Sequence, residues 1–175
     1  MELADKIRIA LGNEPVDLLL KNAQLVNVFA GNVHEADIAV HQGLFIGFGD
    51  YPAKKTVDLK GRYIAPGLID GHVHLESSML DIPEFARNVL PLGTLAVVTD
   101  PHEIANVLGI DGVRYILDSS EGLPLRVFVM FPSCVPATAF ETSGAELTHL
   151  DMEVFKDHAR VLGLAEMMNY PGVLL

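Results

Sequence analysis

Two textures of apolar and polar positions succeed one another along the chain. From Val16 to about Leu59 the apolar residues come in short β-rich runs, "VDLLLKNAQLVNVF", "ADIAVHQG", "LFIGFG" and "TVDLKG", broken by Gly, Asn and Asp. That spacing and turn chemistry predict a meander of antiparallel strands. After Gly61 strand-like runs alternate with helix-length segments: "YIAPGLIDGHVH", "MLDIPEFARNVLPLG", "LAVVTD", "PHEIANVLGIDGVRYILDSSEG", "LRVFVMFPSCV", "LDMEVFKDHARVLG" and "LAEMMN". Alternation of this kind predicts parallel βαβ units with right-handed crossovers. The fold class is therefore α/β, with a β-rich segment over 1–61 and a β/α segment over 62–175. No tandem repeat or low-complexity linker separates them.

Composition narrows the chemistry. Half of the 175 residues are hydrophobic, enough for a good-sized core. Acidic side chains outnumber basic ones 23 to 12, for a net charge of -11, and no Lys/Arg cluster stands out. This argues against nucleic acid or an anionic membrane as a partner. The apolar runs are too short to span a bilayer, and "MELADKIRIA" lacks the pattern of a secretory leader, so a soluble cytoplasmic protein is expected. With a single cysteine, Cys134, the chain has neither a disulfide framework nor a cysteine-rich zinc site, and any metal must be held by His and carboxylates.

In parallel β/α folds chemistry gathers at the C-terminal strand ends. Those ends carry Asp70, His72, His74 and Glu76; Asp100, His102 and Glu103; Ser133 and Cys134; and Glu166 with Asn169. Side chains alternate along a strand, so His72 and His74 share a face, about 7 Å apart by the usual rise. There they serve either as metal ligands or as hydrogen-bonded strand-end residues. "TDPHEIANVLG" reads as a helix start, with Asp100 at the cap, Pro101 in the first position and Glu103 completing a capping box. That account leaves His102 unexplained, and a substrate-facing role remains open for all three. Cys134 reads as a buried inert thiol, since no basic partner lies near it in sequence. Ser133 has little support as a nucleophile. His158 is expected on the solvated face of a helix over 150–163, and His34, His41 and His149 in loop or edge positions. Glu166, a carboxylate in an apolar run, is expensive to bury unless a cation or an Arg faces it.

"YIAPGLIDGHVHLESSML" resembles the first barrel strand of the amidohydrolase superfamily. The stretches "VVTDPHEIANVLG", "MFPSCVPATAFETSGA" and "GLAEMMNYPGV" resemble more narrowly the bacterial and archaeal adenine deaminase family, from Tyr63 to Val173. The resemblance implies the first half of a (β/α)8 TIM-like barrel, preceded by the N-terminal strands of a small β-sandwich and truncated after about strand 4. It implies a dinuclear divalent metal centre of iron or manganese, with zinc also admissible. His72 and His74 would bind the first metal and Glu166 would bridge the pair. Glu76, Asp100, His102 and Glu103 would be substrate contacts or would orient the ligands. The implied reaction converts adenine and water to hypoxanthine and ammonia by a metal-activated hydroxide.

The resemblance also places two further histidines and an aspartate of the metal site beyond Leu175. A barrel of this kind takes about 250 residues, so the chain alone is expected to be inactive. Open sheet edges would favour self-association or pairing with a missing C-terminal half. Two alternatives stay open: another metal-dependent amidohydrolase, such as a cyclic amidase or an N-acetyl sugar deacetylase, and a non-catalytic assembly fragment.

Overall fold

The computed structural model describes residues 2–175. The chain divides into two compact units at Pro66/Gly67.

The first unit opens with helix α1 (Leu3–Ala10), which buries Ile9. Strands β1 (Leu18–Asn27), β2 (Asn32–His41) and β3 (Leu44–Phe48) form the predicted antiparallel meander. The β2–β3 turn places Gln42 and Gly43 at positive φ, +49° and +74°, the geometry that matches the twist of a tight hairpin. Asp17 steadies it by accepting the Gln42 N–H at 2.8 Å. The meander ends there. Strands β4 (Thr56–Asp58) and β5 (Tyr63–Ile64) run parallel to β1, giving the order β3-β2-β1-β4 with β5 also on β1. After β3 the chain returns past β1 instead of turning a hairpin, so β4 enters in the same direction as β1, contrary to the expected antiparallel pairing. The core gathers Ile9, Val16, Leu19 and Ala39, with Ile46, Tyr51 and Ala53 packed against them. His41, expected at an edge, is buried, with Nδ1 3.5 Å from Asp17.

The second unit is a four-stranded parallel sheet in the order β6-β7-β8-β9. Strand β6 (Leu68–Val73) is followed by a 3-10 turn (Glu76–Ser78), helix α2 (Ile82–Val89) and a second 3-10 turn (Leu90–Leu92). Asp81 caps α2, accepting the Glu84 N–H at 2.8 Å. Strand β7 (Thr94–Thr99) leads into helices α3 (His102–Leu108) and α4 (Ile110–Ser119). Strand β8 (Arg126–Phe131) is followed by α5 (His149–Met152), β9 (Val161–Leu164) and α6 (Tyr170–Leu174). Val97, Val127, Val129 and Phe131 from the sheet pack with Ile82 and Ala86 of α2 and with Val113, Ile116 and Leu117 of α4. Fully burying side chains of this kind contributes roughly 1.5–3 kcal/mol each.

Three local expectations fail here for physical reasons. Tyr63–Ile64 belong to the first sheet, and the parallel strand starts only at Leu68, after Pro66 and Gly67. The helix expected over 150–163 is the short α5, because Val129 N–H bonds to the Arg160 carbonyl at 2.8 Å and Val161 pairs with Val129, which commits the chain to the sheet. His158 therefore lies in a turn, half-buried and edge-on to Phe155. The capping box at Asp100 does not form: α3 starts at His102 and receives no side-chain cap. Among the described residues, no helix is long and apolar enough to cross a membrane.

Candidate metal centre

The site lies at the C-terminal ends of β6, β7 and β9. His72 is on β6 and His74 just beyond it, with their Nε2 atoms 3.2 Å apart. His74 Nδ1 is 2.8 Å from the Asp100 carbonyl. A carbonyl only accepts, so Nδ1 carries the proton and Nε2 of the neutral ring presents its lone pair. Glu166 faces both rings, with Oε1 3.5 Å from His74 Nε2 and Oε2 3.9 Å from His72 Nε2.

Glu166 is not the buried acid that its apolar neighbours suggested. It lies beyond the end of β9, and its side chain is 45% exposed, because this face of the sheet is open at the strand ends. Ser133 holds it from behind, donating its hydroxyl hydrogen to the Glu166 carbonyl at 2.5 Å. Nothing in the sequence pattern marks Ser133 for that role. Cys134 is buried and free, as expected of an inert thiol.

Asp100 closes the site from β7. It is 1% exposed, and neither carboxylate oxygen has a hydrogen-bond partner. Burial pushes its carboxyl above the ordinary aspartate value, against the opposing pull of His102. His102 Nδ1, also buried and unbonded, is 3.3 Å from Asp100 Oδ2, and its ring stands edge-on to His74 with centroids 4.7 Å apart. Glu76 accepts the Ile104 N–H at 3.2 Å through Oε1, while Oε2 is buried and unpaired. Burial, with a smaller contribution from Glu103, raises its carboxyl as well. Glu103 accepts the Ser77 hydroxyl at 2.7 Å, tying α3 to the turn after β6. Asp70 turns back to accept the His72 N–H at 3.1 Å.

The structure thus gathers His72, His74, Asp100, His102 and Glu166, with Glu76 and Glu103 behind them. His74, Asp100, His102 and Glu166 each offer a ligand atom within 4.8 Å of the others. The donors are imidazole nitrogen and carboxylate oxygen, the set that suits divalent zinc, iron or manganese. The His74 Nε2 lone pair beside the Glu166 carboxylate, and a buried Asp100 carboxylate whose oxygens carry no hydrogen bond, suit a proton or a cation, so the residues fit a divalent metal.

Comparison with known proteins agrees in kind. A model of the amidohydrolase family matches residues 63–173. The chain is 54% identical over 172 residues to adenine deaminase 2 of Carboxydothermus hydrogenoformans, covering 98% of this chain and 30% of that protein. To the adenine deaminase of Kosmotoga olearia it is 53% identical over 176 residues, covering 99% and 30%. The chain therefore spans about 30% of the length of the curated relatives it matches. Among solved structures, N-acyl-D-glutamate deacylase of Bordetella bronchiseptica, complexed with zinc, superposes with a TM-score of 0.53 at 18% identity, over 93% of this chain and 40% of that one. Zinc-complexed atrazine chlorohydrolase of Arthrobacter aurescens gives 0.51 at 19%, over 66% and 36%. At these identities the structural likeness speaks to the fold alone.

Proposed function

Because the chain belongs to the amidohydrolase family, we propose that it is the N-terminal portion of an adenine deaminase and carries half of that enzyme's metal site. The observation that carries this reading is the convergence of the His72 and His74 Nε2 atoms, 3.2 Å apart, on the two oxygens of Glu166. The identity of more than half to adenine deaminases supports the substrate.

In this reading β6 to β9 are the first four strands of a (β/α)8 barrel, and the first unit supplies strands of a small β-sandwich. His72, His74 and Glu166 would hold the divalent metal, iron or manganese. A divalent metal supplies, when bound, the activation of water at neutral pH. The chain's own residues prepare that chemistry. The Asp100 carbonyl fixes the tautomer and tilt of His74, a hydrogen bond of the kind that tunes ligand basicity. Glu76 and Glu103, anchored to Ile104 and Ser77, hold α3 against the turn after β6, so that His102 stands edge-on to His74. Overall, water adds at purine C6 and the amino group leaves as ammonia.

The remaining ligands expected from the family lie outside this chain, and the edge strands carry exposed Leu68, Ile69, Leu162 and Leu164. The 175-residue chain is therefore expected to release no ammonia from adenine by itself, and to associate with itself or with the rest of the barrel. The parent polypeptide, loaded with manganese, is the test of function. Release of ammonia from adenine, with hydantoin and N-acetylglucosamine untouched, is the expected result. Turnover of an amide and not of adenine would sink the assignment.

A further inference from the structure

We propose that the cavity walled by the loop between β8 and α5 is the subsite for the purine edge remote from C6, with Glu146 accepting the N9–H and Asn169 donating to N3. This rests on the deaminase reading and deepens it, since it names what would recognise the base while His72, His74 and Glu166 hold the metal.

The cavity has a volume of about 450 Å³, within the roughly 300–1,000 Å³ usual for small-molecule sites. Its wall is held in place. Leu147 N–H bonds to the Val135 carbonyl at 2.9 Å, and the Gly144 and Ala145 N–H groups both reach the Asn106 carbonyl at the end of α3, at 2.8 and 3.2 Å. A Cβ at Gly144 would come 2.8 Å from the Val107 carbonyl oxygen, so the loop can approach α3 this closely only with glycine there. The cavity also borders the metal position. Ser133 in its wall donates to the Glu166 carbonyl at 2.5 Å, and Asn169, also in the wall, follows Glu166 by three residues.

The polar groups that line the cavity leave one acceptor and one donor over. Thr138 donates to Glu141 at 3.3 Å, so that pair answers itself. No Lys, Arg or His pairs with the Glu146 carboxylate among the described residues. Asn169 Oδ1 accepts the Gly172 N–H at 3.0 Å, which leaves its amide hydrogens free to donate. Adenine presents the complement on adjacent atoms of its far edge, a donor at N9 and an acceptor at N3. Val135, Pro136 and Leu147 offer apolar wall to the ring faces.

The test uses the manganese-loaded parent polypeptide, with adenine as substrate and 9-methyladenine and 3-deazaadenine as competitive inhibitors. The first analogue lacks the N9 hydrogen and the second the N3 lone pair. Each should bind the wild type about tenfold more weakly than adenine, the effect of one hydrogen bond with a charged or well-placed partner. Glu146→Ala should raise KM for adenine about tenfold with kcat and metal content unchanged, and should abolish the discrimination against 9-methyladenine alone. Asn169→Asp keeps the acceptor for Gly172 N–H but loses the donor, and should abolish the discrimination against 3-deazaadenine alone. If both variants keep the wild-type KM, or if KM rises while each analogue stays as disfavoured as before, the subsite is wrong and the deaminase reading stands. Loss of metal from either variant also overturns the subsite, because the residue would then support the metal centre. A parent polypeptide that does not deaminate adenine overturns the deaminase reading and this subsite with it.

Discussion

Replacing Gly112 by alanine sets two opposed effects against each other. Gly112 lies in α4, and a Cβ built there would come 2.8 Å from the Ile104 carbonyl oxygen, 3.0 Å from its carbon and 3.2 Å from the Ala105 nitrogen. Helical propensity favours the substitution by about 0.5–1 kcal/mol. Packing opposes it, because comfortable contacts between such atoms begin nearer 3.5 Å, and overfilling a tight contact costs about 1–3 kcal/mol. The obstacle is backbone, which cannot rotate aside as a side chain would. Ala105 and Val113 on either side are fully buried, so the helices cannot slide into open space. The packing cost should win by about 1–2 kcal/mol, lowering the midpoint by roughly 4–16 °C for a unit of this size.

The displacement should also reach the site. Helix α3 begins at His102 and bonds Glu76 through the Ile104 N–H at 3.2 Å, so pushing α3 away from α4 loosens the wall behind the metal position. Thermal unfolding followed by far-UV circular dichroism measures the first effect and cobalt affinity the second. Asp118→Ala, on the exposed side of the same helix, is the control and should change stability by less than about 0.5 kcal/mol. A Gly112→Ala chain as stable as the wild type would refute the claim that the α3–α4 contact requires glycine.

Two further changes test other parts of the structure. Arg160 donates to the Ser120 hydroxyl, the Leu117 carbonyl and the Glu121 carboxylate, each at 2.7 Å, clamping the end of α4 to the start of β9. Arg160→Met should cost about 2–3 kcal/mol in urea unfolding by leaving those acceptors unmatched, whereas Glu121→Gln should cost under about 1 kcal/mol, because the Glu121 carboxylate is 78% exposed. In the first unit, the hydrogen bond from Lys54, helped by the Gln42 N–H, holds the Asp17 carboxyl below its ordinary value. Its contribution is therefore present above the unfolded-state pKa, about 3.9, and is lost as the pH falls through the lower folded value. Asp17→Asn should flatten the acid limb of the stability profile, and an unchanged limb would show that the pair contributes nothing.

What the sequence discloses about the fold depends on the range of the interaction. The period-two runs that became β1–β3 and the alternating runs that became β6–β9 follow from side-chain alternation, which is local. The parallel entry of β4 is not local, because hairpin spacing carries no information about a strand that crosses to the far side of β1. The helix expected over 150–163 is lost to the pairing of Val161 with Val129, and the capping box at Asp100 to the contacts that Ser77 and Ile104 make with Glu103 and Glu76. In both places a good local pattern yields to a tertiary partner. Glu166 is instructive in the other direction. An acid among apolar residues suggests burial, but its neighbours Met167 and Leu164 are themselves exposed at an open strand end. The chemistry around it was legible; its degree of burial was set by residues far away in sequence.

The convergence of the two histidines likewise needs more than their spacing. Along a regular strand, residues two apart are separated by about 7 Å, yet the Nε2 atoms of His72 and His74 are 3.2 Å apart. The strand ends at Val73, and the residue just after the next strand, Asp100, captures the chain on both sides of that end. The Asp100 N–H bonds to the Val73 carbonyl at 3.1 Å, while the Asp100 carbonyl accepts from His74 Nδ1 at 2.8 Å. The backbone of Asp100 thus holds the second imidazole toward the first and sets its tautomer, leaving the carboxylate beside His102. The two roles are separable, since Asp100→Asn keeps both backbone bonds and alters only the carboxylate. If the backbone role dominated, that variant would hold metal as the wild type does. The buried position of the carboxylate argues that it will not, because its oxygens carry no hydrogen bond and only the His102 ring stands within ion-pair distance of it.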